Sequence, residues 1–238
     1  MNTPRTPVWK SIAATLEGDI ASGHYAPGDK LPTEAALAAR FGVNRHTVRR
    51  ALADLGGRGI LRSRRGAGVF VEAPPTDYPI GRRVRFHQNI RAAGRLPEKT
   101  VLRLETRPCD AAEARALTLA AGAPVVVYEG LSLAGRVPIA QFRSLFPEHR
   151  VPGMRQTLDQ VTSVTEALQR NGIPDYVRAE TRVTAVRADA TQALHLRLRE
   201  GDPLIRTTSV NREPDGPPIE YGITWFAGDR VTLTVSHD

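Results

Sequence analysis

Apolar residues recur every three to four positions through the first 55 residues, which is the spacing of one buried helix face. One such stripe occupies residues 8–22, and Gly23 ends it. Thr33 is a suitable capping residue for a second stripe, which ends at Gly42. The pattern therefore predicts a first helix and, after a Pro-Gly turn, a second and shorter helix.

A third helix is predicted directly after this second one. Asn44 can cap it, and the apolar residues Val43 and Val48 are spaced around the cap as a hydrophobic staple. One face of the helix is apolar, and the opposite face carries Arg45, His46, Arg49 and Arg50. Because only Gly42 and Val43 separate the second and third helices, the spacing is that of a helix-turn-helix.

Two short runs with strand character follow, at residues 60–62 and 69–71. The residues that join them include Arg64, Arg65 and the turn residue Gly66. This pattern predicts a basic β-hairpin, or wing, beside the third helix.

Residues 74–79 contain three prolines. Proline stiffens a segment and removes backbone donors, so this stretch is predicted to be a linker. We therefore expect a first domain over residues 1–73 and a second over residues 80–238.

The second domain contains an internal repeat, because residues 111–146 resemble residues 190–226. A Gly-x-Pro sequence stands at 122–124 in the first copy and at 201–203 in the second. Each copy predicts a short helix, a corner, a strand, a tight turn and a second strand. Other predicted elements are a helix at 157–171 and strands at 176–187 and 230–236. The expected fold is α+β, with an antiparallel sheet built by duplication.

The net charge is +8, and the positive excess lies in the first 100 residues. Residues 1–73 hold 11 basic and 6 acidic side chains, and residues 74–100 hold 6 and 2, whereas residues 101–238 hold 16 and 17. A basic balance favours polyanionic partners. Since the basic region is a helix-turn-helix without aromatic stacking positions, we expect double-stranded DNA rather than RNA.

Other features narrow the class of protein. Cys109 is the single cysteine, which excludes a disulfide framework and a cysteine metal site. There is no apolar run of membrane-spanning length and no signal-peptide core, so we expect a cytoplasmic protein without a membrane partner. No nucleophile elbow, HExxH or P-loop is present, and we expect no enzyme activity, metal or cofactor.

Arg45 and Arg49 lie one helical turn apart, so both guanidinium groups can reach guanine edges or phosphates in a major groove. The Thr47 hydroxyl and the N–H groups at the helix start can bind phosphate. We expect the DNA-contacting residues to be Thr33, Arg40, Arg45, His46, Thr47, Arg49, Arg50, Arg64, Arg65 and Gly66.

The stretch from residue 27 to residue 71 carries the pattern PGxxLPTExxLAxxFGVNRxTVRRALxxLxxxGIL…GxGVFV. It resembles the winged-helix signature of the GntR family of bacterial transcription regulators. By this resemblance Arg45, Thr47, Arg49 and Gly66 occupy DNA-contact positions. Ala35 departs from the pattern, since some relatives have a DNA-contacting arginine there. The resemblance then requires a substitute, and Arg40 and Arg50 are the candidates.

Residues 80–238 resemble the effector-sensing UTRA domain of the HutC branch, which shares its fold with chorismate lyase. The resemblance includes the Gly-Pro-Pro-Ile-Glu-Tyr stretch that begins at Gly216. Within the branch, the blocks at residues 78–80 and 85–90 are most similar to regulators of phosphonate uptake and breakdown genes.

The resemblance also suggests where an effector binds. Members that bind sugar phosphates use two arginines at the positions of Gly130 and Ser132 and a glutamate at the position of Phe142, so that site is not intact here. Arginine forks suit phosphate or phosphonate oxygens, which makes other basic residues candidates. The candidate effector residues are Arg85, His87, Ser132, Arg143, Ser163, Arg182, Glu220 and Phe226.

The sequence thus indicates a DNA-binding regulator, a repressor, that binds its operator as a homodimer and is controlled by an anionic small-molecule effector, of phosphonate metabolism by the resemblance. A HutC-type sensor of a sugar phosphate or a catabolic intermediate is the alternative, and a lyase-like enzyme is a further one because fold does not fix function.

Overall fold

The computed structural model describes residues 7–64, 66–72, 75–83 and 85–235. It consists of two compact units, residues 1–74 and residues 75–238. Among the described helices, none has both the length and the apolar character needed to cross a bilayer.

The first unit contains the three predicted helices and the predicted hairpin, in the order Val8–Ala21 (α1), Glu34–Phe41 (α2), Arg45–Gly57 (α3), Leu61–Arg64 (β1) and Gly68–Val71 (β2). Both expected caps form. The Thr33 hydroxyl accepts a hydrogen bond from the Ala36 N–H at 3.2 Å, and the Asn44 side chain accepts one from the Thr47 N–H at 2.9 Å. Gly42 ends α2 with a φ of +64°, which is the left-handed conformation that lets the chain turn into α3.

The apolar stripes of the three helices meet in one core. Leu16, Leu37 and Leu55 are each fully buried there, one from each helix. The wing closes the same core through Leu61 and Val71. The helix that carries the exposed arginines is therefore fixed along its entire apolar face.

The predicted linker is wrong for most of its length. Thr76–Pro79 forms a strand (β3) that pairs in parallel with Val231–Thr234 (β10), the last strand of the second unit. The side chains of Thr76 and Tyr78 are buried. Proline is tolerated here because β3 pairs with one neighbour only, so a missing N–H on the other side breaks no ladder.

The second unit is built on a six-stranded antiparallel sheet. Its strands are Pro97–Pro108 (β4), Pro124–Ala134 (β5), Val137–Pro147 (β6), Val177–Arg187 (β7), Pro203–Arg212 (β8) and Pro218–Ala227 (β9). They lie in the order β4-β5-β6-β9-β8-β7, which confirms the expected α+β fold. Its helices are Phe86–Ala92 (α4), Ala111–Leu117 (α5), Met154–Gln160 (α6), Val164–Arg170 (α7) and Ala190–Leu196 (α8).

The two copies of the repeat meet at the centre of this sheet, where β6 pairs with β9. Arg143 lies opposite Ile223, which is its equivalent in the second copy. On either side, Ser144 lies opposite Gly222 and Phe142 opposite Thr224. Exchange of the two copies maps these two pairs onto each other, so a local twofold axis passes through the Arg143–Ile223 pair.

The repeat extends to the helix ends. Helices α5 and α8 each begin with a capping box, formed by Asp110 with Glu113 and by Asp189 with Gln192. Each helix is followed by a non-glycine residue with positive φ.

The single helix predicted at 157–171 is instead two helices, α6 and α7. The chain leaves the helical conformation at Val161, and Ser163 caps α7 by accepting a hydrogen bond from the Glu166 N–H at 3.3 Å. The apolar spacing continued through this break, but a serine that can cap a helix also competes with helix continuation.

The Asp110→Ala substitution is expected to lower the free energy of unfolding by about 1 kcal/mol. Asp110 accepts hydrogen bonds from the N–H groups of Ala112 and Glu113, and these bonds hold the pKa of its carboxyl below the ordinary value. A lowered pKa stabilises the fold at neutral pH, and this contribution is lost as the pH falls below about 4.

The measurement is urea unfolding of the parent protein and the variant at several pH values. Asp110→Asn is the control, because asparagine caps nearly as well and should lose less stability. An equal loss in both variants would mean that the cap is not the source of the stabilisation.

Candidate DNA-binding surface and candidate effector cavity

Helix α3 presents a basic face to solvent. Arg45, His46, Arg49 and Arg50 are exposed, whereas Val48, one of the apolar residues between them, is fully buried. No ion pair or hydrogen bond links the Arg45 side chain to another of the described residues. Arg45 therefore has its full donor set available to a partner.

Arg49 is held in place by Glu34, the first residue of α2. Its Nε lies 3.0 Å from Glu34 Oε1, and its Nη2 lies 2.7 Å from Oε2. This two-bond contact lowers the pKa of the Glu34 carboxyl and raises that of the guanidinium. The pair is solvent-exposed, so its stabilising contribution is small, but it fixes the direction of the guanidinium plane.

Both threonines in the predicted DNA-contacting set are engaged in capping. Thr33 caps α2, and the Thr47 hydroxyl donates to Asn44 Oδ1 at 2.9 Å. The Thr47 N–H, which we expected to be available for phosphate, bonds to the same oxygen. A phosphate at this helix start would have to use other N–H groups or accept from neighbouring side chains.

The two arginines considered as substitutes at Ala35 lie against α1 and its flank. Arg40 binds Asp19 at 2.8 Å and reaches the Tyr25 hydroxyl at 3.4 Å. The Arg50 guanidinium lies over the Trp9 ring, 4.8 Å from its centroid. Arg50 makes no ion pair among the described residues, so it remains the better candidate of the two.

The wing turns tightly at Gly66, whose φ is +77°. The Arg64 guanidinium lies over the Phe70 ring at 5.1 Å, and Arg65 lies outside the described residues. The structure adds Lys30, which pairs with Phe70 as a β-bridge beside the wing. A Cβ atom at Gly68 would lie 2.7 Å from Lys30 Cε, so this glycine makes room for the lysine stem.

The second unit contains a cavity of about 290 Å³ on one face of its sheet, between that face and helices α4 and α7. Six of the eight predicted effector residues line it, namely Arg85, His87, Ser132, Ser163, Glu220 and Phe226. The structure therefore brings together residues that are separated by up to 141 positions in the chain.

Arg85 and His87 flank the beginning of α4, and each has a buried nitrogen that finds no hydrogen-bond partner among the described residues, Nη1 and Nε2 respectively. Arg85 is otherwise fixed, because its Nη2 donates to the Tyr176 carbonyl at 3.0 Å and its guanidinium stacks 3.6 Å from the Tyr176 ring. Burial lowers the pKa of His87, and the positive charges of Lys99 and Arg91 lower it further. Buried polar atoms without partners are rare, and here they lie where a ligand oxygen could bind.

Glu220 is buried at another part of the cavity wall. Its Oε1 accepts a hydrogen bond from the Ser144 hydroxyl at 2.7 Å, and its Oε2 accepts one from Asn211 at 2.6 Å. Arg178 Nε in turn donates to Asn211 Oδ1, the side-chain amide oxygen, at 2.6 Å. Each oxygen of the carboxylate thus already accepts a hydrogen bond within the protein.

Arg143 and Arg182, the other two predicted effector residues, do not line this cavity. Arg143 lies between Phe142 and Ser144, which both line the cavity, so strand alternation turns its side chain to the opposite face, where it binds Glu129. Arg182 is exposed on that opposite face and binds Glu180 at 2.7 Å.

Sequence reasoning missed several polar residues of the cavity, chiefly Lys99, Arg178, Asn211, Ser144 and Thr224. The repeat contained a signal for them. Lys99 is equivalent to Arg178, Ser132 to Asn211, and Ser144 to Thr224, so the cavity lies at the local twofold axis and is lined by matching positions.

The structure also explains why an arginine is absent at position 130. A Cβ atom at Gly130 would lie 2.4 Å from the Thr100 carbonyl oxygen and 2.9 Å from Phe142 Cζ. The Phe142 ring occupies the space where such a side chain would have to begin. Gly130 and Phe142 therefore form one packing unit, and together they exclude the two-arginine arrangement.

Comparisons with known proteins agree with both halves of the structure. Residues 9–71 match the family described as bacterial regulatory proteins, gntR family, and residues 92–232 match the UTRA domain. The chain is 37% identical to an uncharacterised HTH-type transcriptional regulator of Rhizobium meliloti, over 96% of this chain and 94% of the relative. It is 33% identical to the probable transcriptional regulator PhnF of Escherichia coli, over 96% and 95%.

A solved structure has the same arrangement of elements. The crystal structure of PhnF from Mycobacterium smegmatis matches with a TM-score of 0.65 and 25% identity, over 98% of this chain and 99% of that one. Since the winged helix and the sensor fold occur in the same order and over nearly the whole length, the chain belongs to the gntR family of bacterial regulatory proteins, in the branch that carries a UTRA domain.

Proposed function

We propose that the protein is a repressor in the cytoplasm that binds operator DNA as a homodimer and releases it when an anionic effector occupies the cavity. The observation that carries the first part is α3, whose capped and fully packed helix exposes Arg45 and Arg49 one turn apart. The basic wing and the neighbouring Lys30 add further positive charge to this unit. A catalytic role has no comparable support, since relatives are named as regulators.

An anionic effector is favoured by the composition of the cavity wall. Arg85, Arg91, Lys99 and Arg178 line it, against the two carboxylates Glu166 and Glu220. Within the part of the chain that the structure describes, the buried Arg85 Nη1 and His87 Nε2 have no hydrogen-bond partner. A phosphonate or phosphate group supplies three oxygens for such donors. The phosphonate link itself rests on the resemblance of residues 78–80 and 85–90 to phosphonate regulators, and these two blocks include Tyr78, Arg85 and His87.

A sugar-phosphate effector remains the second candidate, because its phosphate would satisfy the same nitrogens. The close packing of Gly130 with Phe142 argues against a hexosamine phosphate bound through two arginines. Effector binding would release DNA by favouring a domain arrangement with lower operator affinity.

A homodimer is proposed because one winged helix reads one half-site, and two copies read a near-palindromic operator. We assign the interface to the second unit, whose two edge strands expose the apolar side chains of Val101, Leu102 and Val183.

The Arg49→Ala substitution is expected to weaken operator binding roughly 5- to 150-fold, because it removes one guanidinium contact in the groove. The measurement is fluorescence anisotropy with DNA from upstream of the protein's own operon, over a range of salt concentrations. Arg58→Ala removes the same charge from the other end of α3 and is the control. If Arg49→Ala and Arg58→Ala weaken binding equally, Arg49 has no specific role in recognition.

The intact protein is expected to sediment as a dimer, whereas residues 1–74 alone should sediment as a monomer and bind the full operator far more weakly. Analytical ultracentrifugation and the same anisotropy assay measure both quantities. Dimerisation of the short fragment would show that the dimer interface does not lie in the second unit.

Operator release is expected with phosphonates or phosphate esters and not with uncharged analogues that lack the anionic group. A gel-shift titration with methylphosphonate, inorganic phosphate, N-acetylglucosamine 6-phosphate and uncharged N-acetylglucosamine compares the classes. Release by N-acetylglucosamine alone would contradict the anionic site.

A further inference from the structure

The second copy of the repeat carries a complete chain of polar contacts across three strands. Arg178 on β7 lies beside Asn211 on β8, and Asn211 lies beside Glu220 on β9. The side chains follow this register, because Arg178 donates to Asn211 and Asn211 donates to Glu220, each at 2.6 Å. A partly buried cation is thus linked through one side-chain amide to a buried carboxylate, and the charges balance.

The first copy has the same backbone positions but lacks the carboxylate. Lys99 on β4 lies beside Ser132 on β5, and Ser132 lies beside Ala140 on β6. The repeat relates Lys99 to Arg178 and Ala140 to Glu220. Since alanine cannot carry charge, the cation of the first copy has no equivalent counter-ion.

The surroundings of Lys99 do not replace this missing charge. Its ammonium lies 4.5 Å from the Phe142 ring centroid, 5.3 Å from that of Tyr128 and 5.6 Å from that of Phe86. No ion pair joins it to a carboxylate among the described residues. Ring faces attract a cation but neutralise no charge.

Burial keeps the pKa of Lys99 at about 8, below its ordinary value, although Glu220 acts in the opposite direction. The side chain therefore carries its charge at neutral pH, yet it does so in surroundings that disfavour the charge. An anion that binds here would contact an ammonium group that is already oriented and whose charge is little neutralised by the protein.

We infer that Lys99 is the specificity-determining cation of the cavity, and that an anionic oxygen of the effector binds there in place of the carboxylate that the first copy of the repeat lacks at Ala140. This inference rests on the proposed effector control, and it adds the orientation of the ligand in the cavity. The anionic group of the ligand points toward the first copy, beside Ser132, whereas the Glu220 side of the cavity is already balanced within the protein.

The test is isothermal titration of the full-length protein with methylphosphonate and with inorganic phosphate. In the Lys99→Met variant the Kd for the better probe should rise at least about tenfold, as expected when one charged hydrogen bond is lost. Arg182→Met is the matched control, because it removes one exposed charge from the opposite face of the sheet. Its Kd should stay within about twofold of the parent value.

A second pair of variants restores the missing carboxylate. Ala140→Glu should pair with Lys99 and raise the Kd, whereas Ala140→Gln fills the same volume without charge and should raise it less. Because Ala140 is buried beside Phe226, each variant is first checked for a cooperative thermal transition. If Ala140→Glu fails to fold, Lys99→Met decides the matter.

The inference is overturned if Lys99→Met binds both probes as tightly as the parent protein, or if neither probe binds the parent. Operator affinity without a probe is measured in parallel, as a check that the Lys99→Met variant still dimerises and still binds DNA. A parent protein that binds the probe through Lys99 but binds no operator would refute the proposed function and leave the cavity assignment intact.

Discussion

The antiparallel pairing of β6 with β9 is the constraint on which the second unit depends. It joins the two copies of the repeat, and it determines which residues share a face of the sheet. Residues in step with Phe142 and Ser144 face the cavity, whereas those in step with Arg143 face α5 and α8. A slip of one residue would exchange the two faces, so the cavity exists only in this register.

In the first unit, the positions of the helices are set by interactions between residues that lie close together in the chain. Two side-chain caps and a left-handed glycine fix where α2 ends and α3 begins. The shared apolar core then sets the rotation of α3, and Glu34 sets the direction of the Arg49 guanidinium. In the proposed complex with DNA, Arg49 would bind with a side-chain conformation that is already restricted, which reduces the entropy lost on binding. The DNA would also have to accommodate or displace the Glu34 carboxylate.

The parts of the fold that could be predicted from the sequence are those whose signals are local. The caps at Thr33 and Asn44, the apolar stripes and the Gly-x-Pro repeat each act within a few residues, and the corresponding elements are present. The errors came from context. The prolines of residues 74–79 indicated a linker, but a strand with one neighbour tolerates proline.

The same limit applies to the cavity. Arginine chemistry alone favoured Arg143 and Arg182, but their position in strand register turns them away from it. Lys99 and Arg178 could not be selected by type, since each is one of three basic residues on its edge strand. The local twofold symmetry of the repeat distinguishes them, because it brings the equivalent residues Lys99 and Arg178 to the same cavity.

The pairing of β3 with β10 has a consequence for how the two halves of the chain are connected. The backbone that leaves the first unit is clamped at once to the C-terminal strand, and after ten residues from position 75 it reaches Arg85 in the cavity wall. Along this path the Arg82 carbonyl accepts a hydrogen bond from the Arg178 N–H, and Arg83 binds Asp175. The first residues of the second unit are therefore anchored to it at several points, by the β10 pairing and by the contacts of Arg82 and Arg83, before the chain reaches the cavity wall.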